Sequence, residues 1–293
     1  MAKDIVMLSK YIQDVPEKKL EFPMHVSEKL DGVMADLYRD MGGNYHIRTR
    51  QGKSIPAMQW LVDKLKRRKN GLLYYGEHLI GELYCDYGLP RVANFNKISG
   101  RIRQEQEQAT EIELRVFDYY DENYLKMLYE VRLGKFNDIL SPNIDSIYTV
   151  PYIGVANSLQ ELVEIFEEYM KLNPDAEGVV ARPLFGEVSY YKVGRSYGFI
   201  KLVPKPTVDL VIKSIEEAKG DLQGNAGKVI CEYNGQDIAV GLGSITHDIR
   251  RDMWLNPMAY IGRVVEIGYK DITSAGVMRM PVVKRFREDK DNG

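Results

Sequence analysis

Five short strand-like runs, with one helical run lodged between the third and the fourth, close the chain after residue 207, and this order leaves few folds open. The runs are TVDLVIKSI (207–215), GKVICEYNGQDIAVGL (227–242), GRVVEIGYKDI (262–272) and AGVMRMPVVKRF (275–286). The second of these is divided into two strands by Asn234-Gly235, a pair suited to a tight hairpin. The helix is THDIRRDMWLNP, in which Thr246 can cap and Ile249, Met253 and Trp254 form an apolar stripe ahead of Pro257. Five strands with a helix after the third is the arrangement of an OB-fold, a small β-barrel that often handles nucleic acid. The two prolines of VPKPT (203–207) supply a hinge before it, so the chain divides into residues 1–206 and 207–293.

The first division mixes strands with helices, which makes the chain α+β. Three helices are clear. In PAMQWLVDKLKRR (56–68), Met58, Leu61, Val62 and Leu65 recur at helical spacing, and the basic residues fall at the C-terminal end, where the dipole favours them. In NSLQELVEIFEEYMKLNP (157–174), Ser158 and Glu161 make a capping pair, and Leu162, Val163, Phe166 and Met170 share one face. The third is the helix of the barrel, and a fourth is predicted over ENYLKMLYEVRL (122–133). Strands are predicted in EKLDGVMADLYRD, NYHIRTR, LIGELYC, IELRVFDYY, EGVVARP, YYKV and GFIKLVP.

Bulk properties exclude several classes. With 40 basic against 42 acidic residues the net charge is −2, so the surface as a whole does not coat nucleic acid, although a local basic face is allowed. Cys85 and Cys231 stand far apart, and His25, His46, His78 and His247 have no ligand spacing, which argues against a disulfide framework and a zinc site. No apolar run approaches the roughly 20 residues that span a bilayer, and charges interrupt the N-terminal apolar residues where a signal peptide would have its core. A cytoplasmic protein without membrane contact is therefore expected.

The stretch SEKLDGVMADL (27–37) admits two readings. Asp31-Gly32 can turn a surface hairpin whose Lys29 keeps an edge soluble. Alternatively Lys29 is a nucleophile. A lone Lys-x-Asp-Gly decides nothing, but an ordered series follows it: IRTRQGK (47–53), LIGEL (79–83), RVFDYY (115–120), AEGVVAR (176–182), GFIKLV (198–203) and RFREDK (285–290). Taken singly, Glu82 and Glu177 read equally well as solvated strand carboxylates, Phe117 as core, and the basic tail as a soluble terminus.

Taken in order, from about residue 25 to the C-terminus, these motifs resemble the ATP-dependent DNA ligases of the compact bacteriophage type, within the lysine nucleotidyltransferases. The resemblance implies an adenylation domain of antiparallel sheets with flanking helices, followed by the OB-fold. It implies Lys29 as the residue that takes AMP from ATP, Asp31 as its orienting neighbour, and Lys201 as a contact of the AMP phosphate. Glu82 would meet the ribose or a second metal ion, Glu177 would hold the metal, and Phe117 would stack on adenine. Glu28 would share in binding the nucleotide, and Arg50 would lie near the nick phosphate or terminal hydroxyl. Arg285, Arg287, Asp289 and Lys290 match the closing motif, whose cations orient the pyrophosphate during lysine adenylation and would require the 203–207 hinge to move. The chemistry agrees. A lysine amine attacks phosphorus only when unprotonated, which cationic neighbours and burial favour, and phosphoryl transfer needs its charge dispersed by cations and metal. ATP and Mg²⁺, or Mn²⁺ in its place, are the expected cofactors. Nicked double-stranded DNA is the expected partner, and a monomer the expected state.

Three positions depart from the family pattern. Met34 stands where an arginine is usual, with Arg39 and Arg48 as candidate substitutes; Ile80 stands where an acid precedes the glycine; and Val203 replaces a second lysine, for which Lys205 is a candidate. The same nucleophile also serves RNA ligases and mRNA-capping guanylyltransferases. An inactive nick-binding protein with an OB barrel is the alternative of another class.

Overall fold

The computed structural model describes residues 4–68, 71–141, 144–204, 206–243, 245–269, 271–273 and 276–287. The chain forms two compact units, Met1–Pro204 and Lys205–Gly293. The first contains strands β1 (Met7–Tyr11), β2 (Met24–Glu28), β3 (Val33–Arg39) and β4 (Tyr45–Thr49), helix α1 (Gln59–Lys66), β5 (Glu77–Tyr84), α2 (Arg91–Ile102), β6 (Glu113–Asp121), α3 (Tyr129–Leu140), β7 (Ile147–Thr149), β8 (Tyr152–Ala156), α4 (Leu159–Leu172), β9 (Val179–Pro183) and β10 (Gly194–Leu202).

These strands make two five-stranded sheets, ordered β1-β10-β9-β2-β8 and β4-β3-β5-β6-β7, and most of their pairings are antiparallel. Alternation decides what each face buries. On β3, Ala35 and Leu37 join Leu79, Leu114 and Val116 in a core covered by Leu61, Val62 and Leu65 of α1, Ile98 and Ile102 of α2, and Phe136 of α3. The opposite face of that sheet presents Met34, Ile80 and Phe117 to Val180 and Phe199 of the other sheet. The first sheet is covered on its far side by α4, whose Leu162 packs with Val26, Ala156, Val179 and Ile200. Ser158 caps α4 by accepting from the Glu161 amide. Glu161 reaches back to the Asn157 amide, one residue beyond the usual capping box.

The hairpin reading of Asp31-Gly32 is overturned. β2 pairs with β8 and β9, whereas β3 pairs with β4 and β5, so residues 29–32 carry the chain from one sheet to the other. Gly32 is required there by close approach, because a Cβ would lie 2.4 Å from the Leu83 carbonyl oxygen and 2.7 Å from Glu82 Cγ. Three further differences have local causes. The helix predicted over 122–133 is helical only from Tyr129 and continues to Leu140. Tyr190–Val193 is not a strand; Tyr191 stacks on Tyr120 at 4.2 Å and its hydroxyl accepts from the Met7 amide, so packing replaces pairing. Helix α2 and strands β1, β2, β7 and β8 had no separate counterpart in the sequence reading.

The second unit holds β11 (Thr207–Glu217), β12 (Ala226–Tyr233), β13 (Gln236–Gly241), α5 (His247–Leu255), β14 (Val264–Gly268), a short β15 (Asp271–Ile272) and β16 (Met278–Arg279) pair, and β17 (Val282–Phe286). Five of these strands close a barrel in the order β11-β12-β13-β17-β14, with α5 between the third and fourth barrel strands. Its core contains Val229, Cys231, Val240, Val265, Ile267 and Val283, plugged by Met253 of α5. Asn234 and Gly235 take positive φ angles of 51° and 77°, as a two-residue hairpin between Tyr233 and Gln236 needs. This is the α+β architecture of antiparallel sheets, helices and a small barrel. Among the described residues no helix is long and apolar enough to cross a membrane.

The crossing generates a prediction. Gly32→Ala forces the Leu83 backbone aside, and chemical denaturation should show a loss of about 1–3 kcal/mol; unchanged stability would contradict the close approach.

Candidate active site

Lys29 follows directly on β2, and its backbone is fixed from both sides. The Lys29 amide donates to Gly178 O at 3.0 Å and the Glu28 amide to Pro151 O at 2.9 Å. Gly178 itself has φ 142°, and a Cβ there would lie 2.2 Å from Leu202 O, so the turn ahead of β9 depends on glycine. This closeness brings Glu177 to Lys29. Lys29 Nζ donates to Glu177 Oε2 at 2.6 Å, with the two side chains 21% and 22% exposed. Burial pushes the Glu177 carboxyl above its ordinary value; Lys29 opposes the shift and Asp31 adds to it.

Glu82 lies on β5 opposite Met34. Burial pushes its carboxyl up to about 8, with Lys29 pulling it back and the Glu177 and Asp31 carboxylates pushing it further. Burial and the neighbouring carboxylates thus favour its protonated form. Glu28 is also raised by burial, against a lowering hydrogen bond from Tyr169 and the charge of Arg115. Asp31 accepts from Arg91 Nη1 at 2.7 Å.

Two cavities open on Lys29, sharing Glu28, Lys29 and Leu30. One is mostly apolar, lined by Met34, Phe117, Val180 and Phe199, with Glu82 at its polar end. Its aromatic wall rests on a buried ionic group. The Arg182 guanidinium stacks 3.7 Å from the Phe199 ring centre, and Phe199 lies 5.6 Å from Phe117. Asp118 bonds both Arg182 (2.6 Å) and Arg132 (2.8 Å). Burial raises the Asp118 carboxyl, but the two guanidinium groups outweigh it and hold it below its ordinary value. The other cavity, of about 380 Å³, is polar and contains Asp31, Arg91, Asp86, Asp175, Tyr169 and Glu177.

The structure therefore brings together Glu28, Lys29, Asp31, Glu82, Phe117 and Glu177. Lys201 lies on β10 in register with Val180, its ammonium 3.9 Å above the Tyr11 ring. Arg50 is elsewhere: it occupies the turn after β4, 56% exposed and 3.5 Å from Asp4, and lines neither cavity. Of the two candidates for the missing arginine, Arg39 donates to the carbonyls of Gly43 and Leu73 and Arg48 pairs with the buried Asp36, and neither lines the two cavities. In the second unit, Arg285 bonds Glu266 at 2.7 Å and Arg287 bonds Asp209 at 2.8 Å. Lys205, Asp289 and Lys290 lie outside the described residues.

Arg91 is the residue that sequence reasoning missed. It opens α2, and the available signal was Pro90 before a run with Phe95, Ile98 and Ile102 three and four apart.

Comparison with known proteins follows the same division. Residues 217–287 match the family model described as DNA ligase OB-like domain. No curated protein sequence matches the chain. Among solved structures, one named "Pmar-Lig_Pre." aligns over 98% of this chain and 68% of its own at 22% identity, with a TM-score of 0.72. A Lig E DNA ligase, from a study of DNA binding with a minimal scaffold, aligns over 96% of this chain and 98% of its own at 21% identity and TM-score 0.63. The ATP-dependent DNA ligase of bacteriophage T7, in complex with ATP, aligns over 96% and 98% at 19% identity and TM-score 0.56. The fold is that of the ATP-dependent DNA ligases: a nucleotidyltransferase domain followed by an OB domain.

Glu82 supplies a pH prediction. In the folded state its raised carboxyl keeps a proton that the unfolded chain releases near 4.5, so the stability it contributes is lost as pH rises from there through about 8. In metal-free buffer the melting temperature should fall between about pH 5 and 8 and level off above, and Glu82→Gln should flatten that fall. An equal fall in the variant would count against the assignment.

Proposed function

We propose that this chain is an ATP-dependent DNA ligase that seals 3′-hydroxyl/5′-phosphate nicks in duplex DNA, as a monomer, through a Lys29–AMP intermediate. The observation that carries the reading is the 2.6 Å Lys29–Glu177 pair at the junction of an aromatic-walled cavity and a polar one. The apolar cavity suits a purine against Phe117, with the attached phosphates directed toward Lys29. Lys29 must lose a proton to attack, and Glu177, made easier to protonate by burial, is the carboxylate within reach of it.

Three displacements follow. The Lys29 amine attacks the α-phosphorus of ATP, an N–P bond forms, and the P–O bond to pyrophosphate breaks. A 5′-phosphate oxygen of the nick then attacks the same phosphorus, the N–P bond breaks, and the amine regains a proton. Finally the 3′-hydroxyl oxygen gives up its proton to solvent and bonds the 5′-phosphorus as the P–O bond to the oxygen bridging to AMP breaks and AMP leaves. Among the described residues no three His, Cys, Asp or Glu side chains converge to hold a metal ion alone. Mg²⁺ typically takes one or two carboxylates and completes its shell with phosphates and water; Glu177 fits that partial role beside Lys29, and Glu82 would join it on giving up its proton. When bound, the ion would neutralise phosphate charge. The match of residues 217–287 to a DNA ligase OB-like domain favours DNA over RNA ligation or capping.

Mass spectrometry after incubation with ATP and Mg²⁺ tests the reading. The chain should gain one AMP on Lys29 and lose it to nicked DNA, while Lys29→Ala should gain none and seal nothing. Sealing by Lys29→Ala at the parental rate would refute it. Phe117→Ala removes a base-stacking contact of about 1–3 kcal/mol, so KM for ATP should rise roughly tenfold to a hundredfold; an unchanged KM would remove Phe117 from the site.

A further inference from the structure

The polar cavity beside Lys29 has a charge arrangement that changes during the proposed cycle. Its charged lining among the described residues consists of Glu28, Asp31, Asp86, Asp175 and Glu177 against Lys29 and Arg91. Formation of Lys29–AMP converts the ammonium into an uncharged N–P nitrogen and adds a phosphate with one negative charge. Arg91 is then the remaining cation among those lining residues. The next reactant is a dianionic 5′-phosphate, and it must reach a phosphorus whose surroundings have become more negative.

Arg91 is held at both its backbone and its side chain. Its backbone amide donates to Asp175 Oδ2 at 2.9 Å, and Nη1 donates to Asp31 Oδ2 at 2.7 Å, so the side chain is aimed at the Lys-x-Asp-Gly segment. One of five guanidinium N–H groups goes to Asp31, and the side chain remains 30% exposed to the cavity. A planar fork of N–H donors fits phosphate oxygens, and hydrogen bonds to a charged partner are the strong kind. Met34 does not serve here; its side chain lines the apolar cavity with Phe117.

We propose that Arg91 binds the 5′-phosphate of the broken strand during transfer of AMP from Lys29, supplying from the start of α2 a cation that position 34 lacks. This rests on the ligase reading. In the step concerned, a 5′-phosphate oxygen forms a P–O bond to the AMP phosphorus as the N–P bond breaks. The electron pair of that bond returns to Lys29 Nζ, which takes up one proton. Arg91 neither gains nor loses a proton; it offsets the phosphate charge.

Single-turnover measurements on the full chain separate this role from a structural one. Formation of Lys29–AMP from ATP, and transfer of AMP from the purified adduct to a 5′-phosphorylated nick, are timed for the parent, Arg91→Ala and Arg91→Lys. Transfer by Arg91→Ala should fall about tenfold to a hundredfold more than adduct formation, with part recovered in Arg91→Lys. Equilibrium binding of the adenylated proteins to nicks carrying a 5′-phosphate or a 5′-hydroxyl provides a readout without turnover. The parent should prefer the phosphate, and Arg91→Ala should lose that preference. An equal loss in both steps, or a preference kept by Arg91→Ala, would overturn the proposal. If the parent itself forms no adduct, the ligase reading fails; if the parent seals and Arg91→Ala transfers AMP equally well, only the role of Arg91 fails.

Discussion

The ion pair between Lys29 and Glu177 exists because two stretches of chain, 148 residues apart in sequence, are forced together at the place where the backbone passes from one sheet to the other. Lys29 ends its run beside β9, to which it is tied by the Lys29 amide and the Gly178 carbonyl. Three residues later Gly32 slides against Leu83, at the end of β5 where Glu82 stands. The crossing thus gathers one amine and three carboxylates from strand ends without a dedicated loop. A pair this buried gains little net stability, since desolvation offsets much of the attraction. Its effect is to hold an amine 2.6 Å from a carboxylate.

The aromatic side of the site depends on a second buried charge group. Asp118 stands between Arg132 and Arg182, and Arg182 covers Phe199, which leans on Phe117. Phe117 and Asp118 are adjacent on β6, so alternation turns one toward the cavity and the other into the ionic cluster. The strand that presents Phe117 to the cavity also anchors it.

Much of this was legible in the sequence, for identifiable reasons. Lys29, Glu82, Phe117 and Glu177 lie in short motifs whose order survives without knowledge of pairing, and they do converge. The barrel was readable because its hairpin carries Asn234-Gly235 and its strands alternate cleanly. The crossing at residues 29–32 was not, since Asp-Gly gives the same local signal whether the flanking strands pair with each other or with distant partners. Arg91 was hidden because α2 is polar, contains Gly100, and carries its apolar residues on a narrow face. Arg50 stands in the exposed turn that follows the end of its strand at Thr49, a placement its motif does not itself specify.

A crystal structure of the protein exposed to ATP and Mg²⁺ tests the central claim most directly. The account predicts electron density continuous from Lys29 Nζ to a phosphorus, with the purine against Phe117 and Phe199. A nucleotide bonded to another residue, or a purine seated instead in the cavity that holds Asp31 and Arg91, would contradict it.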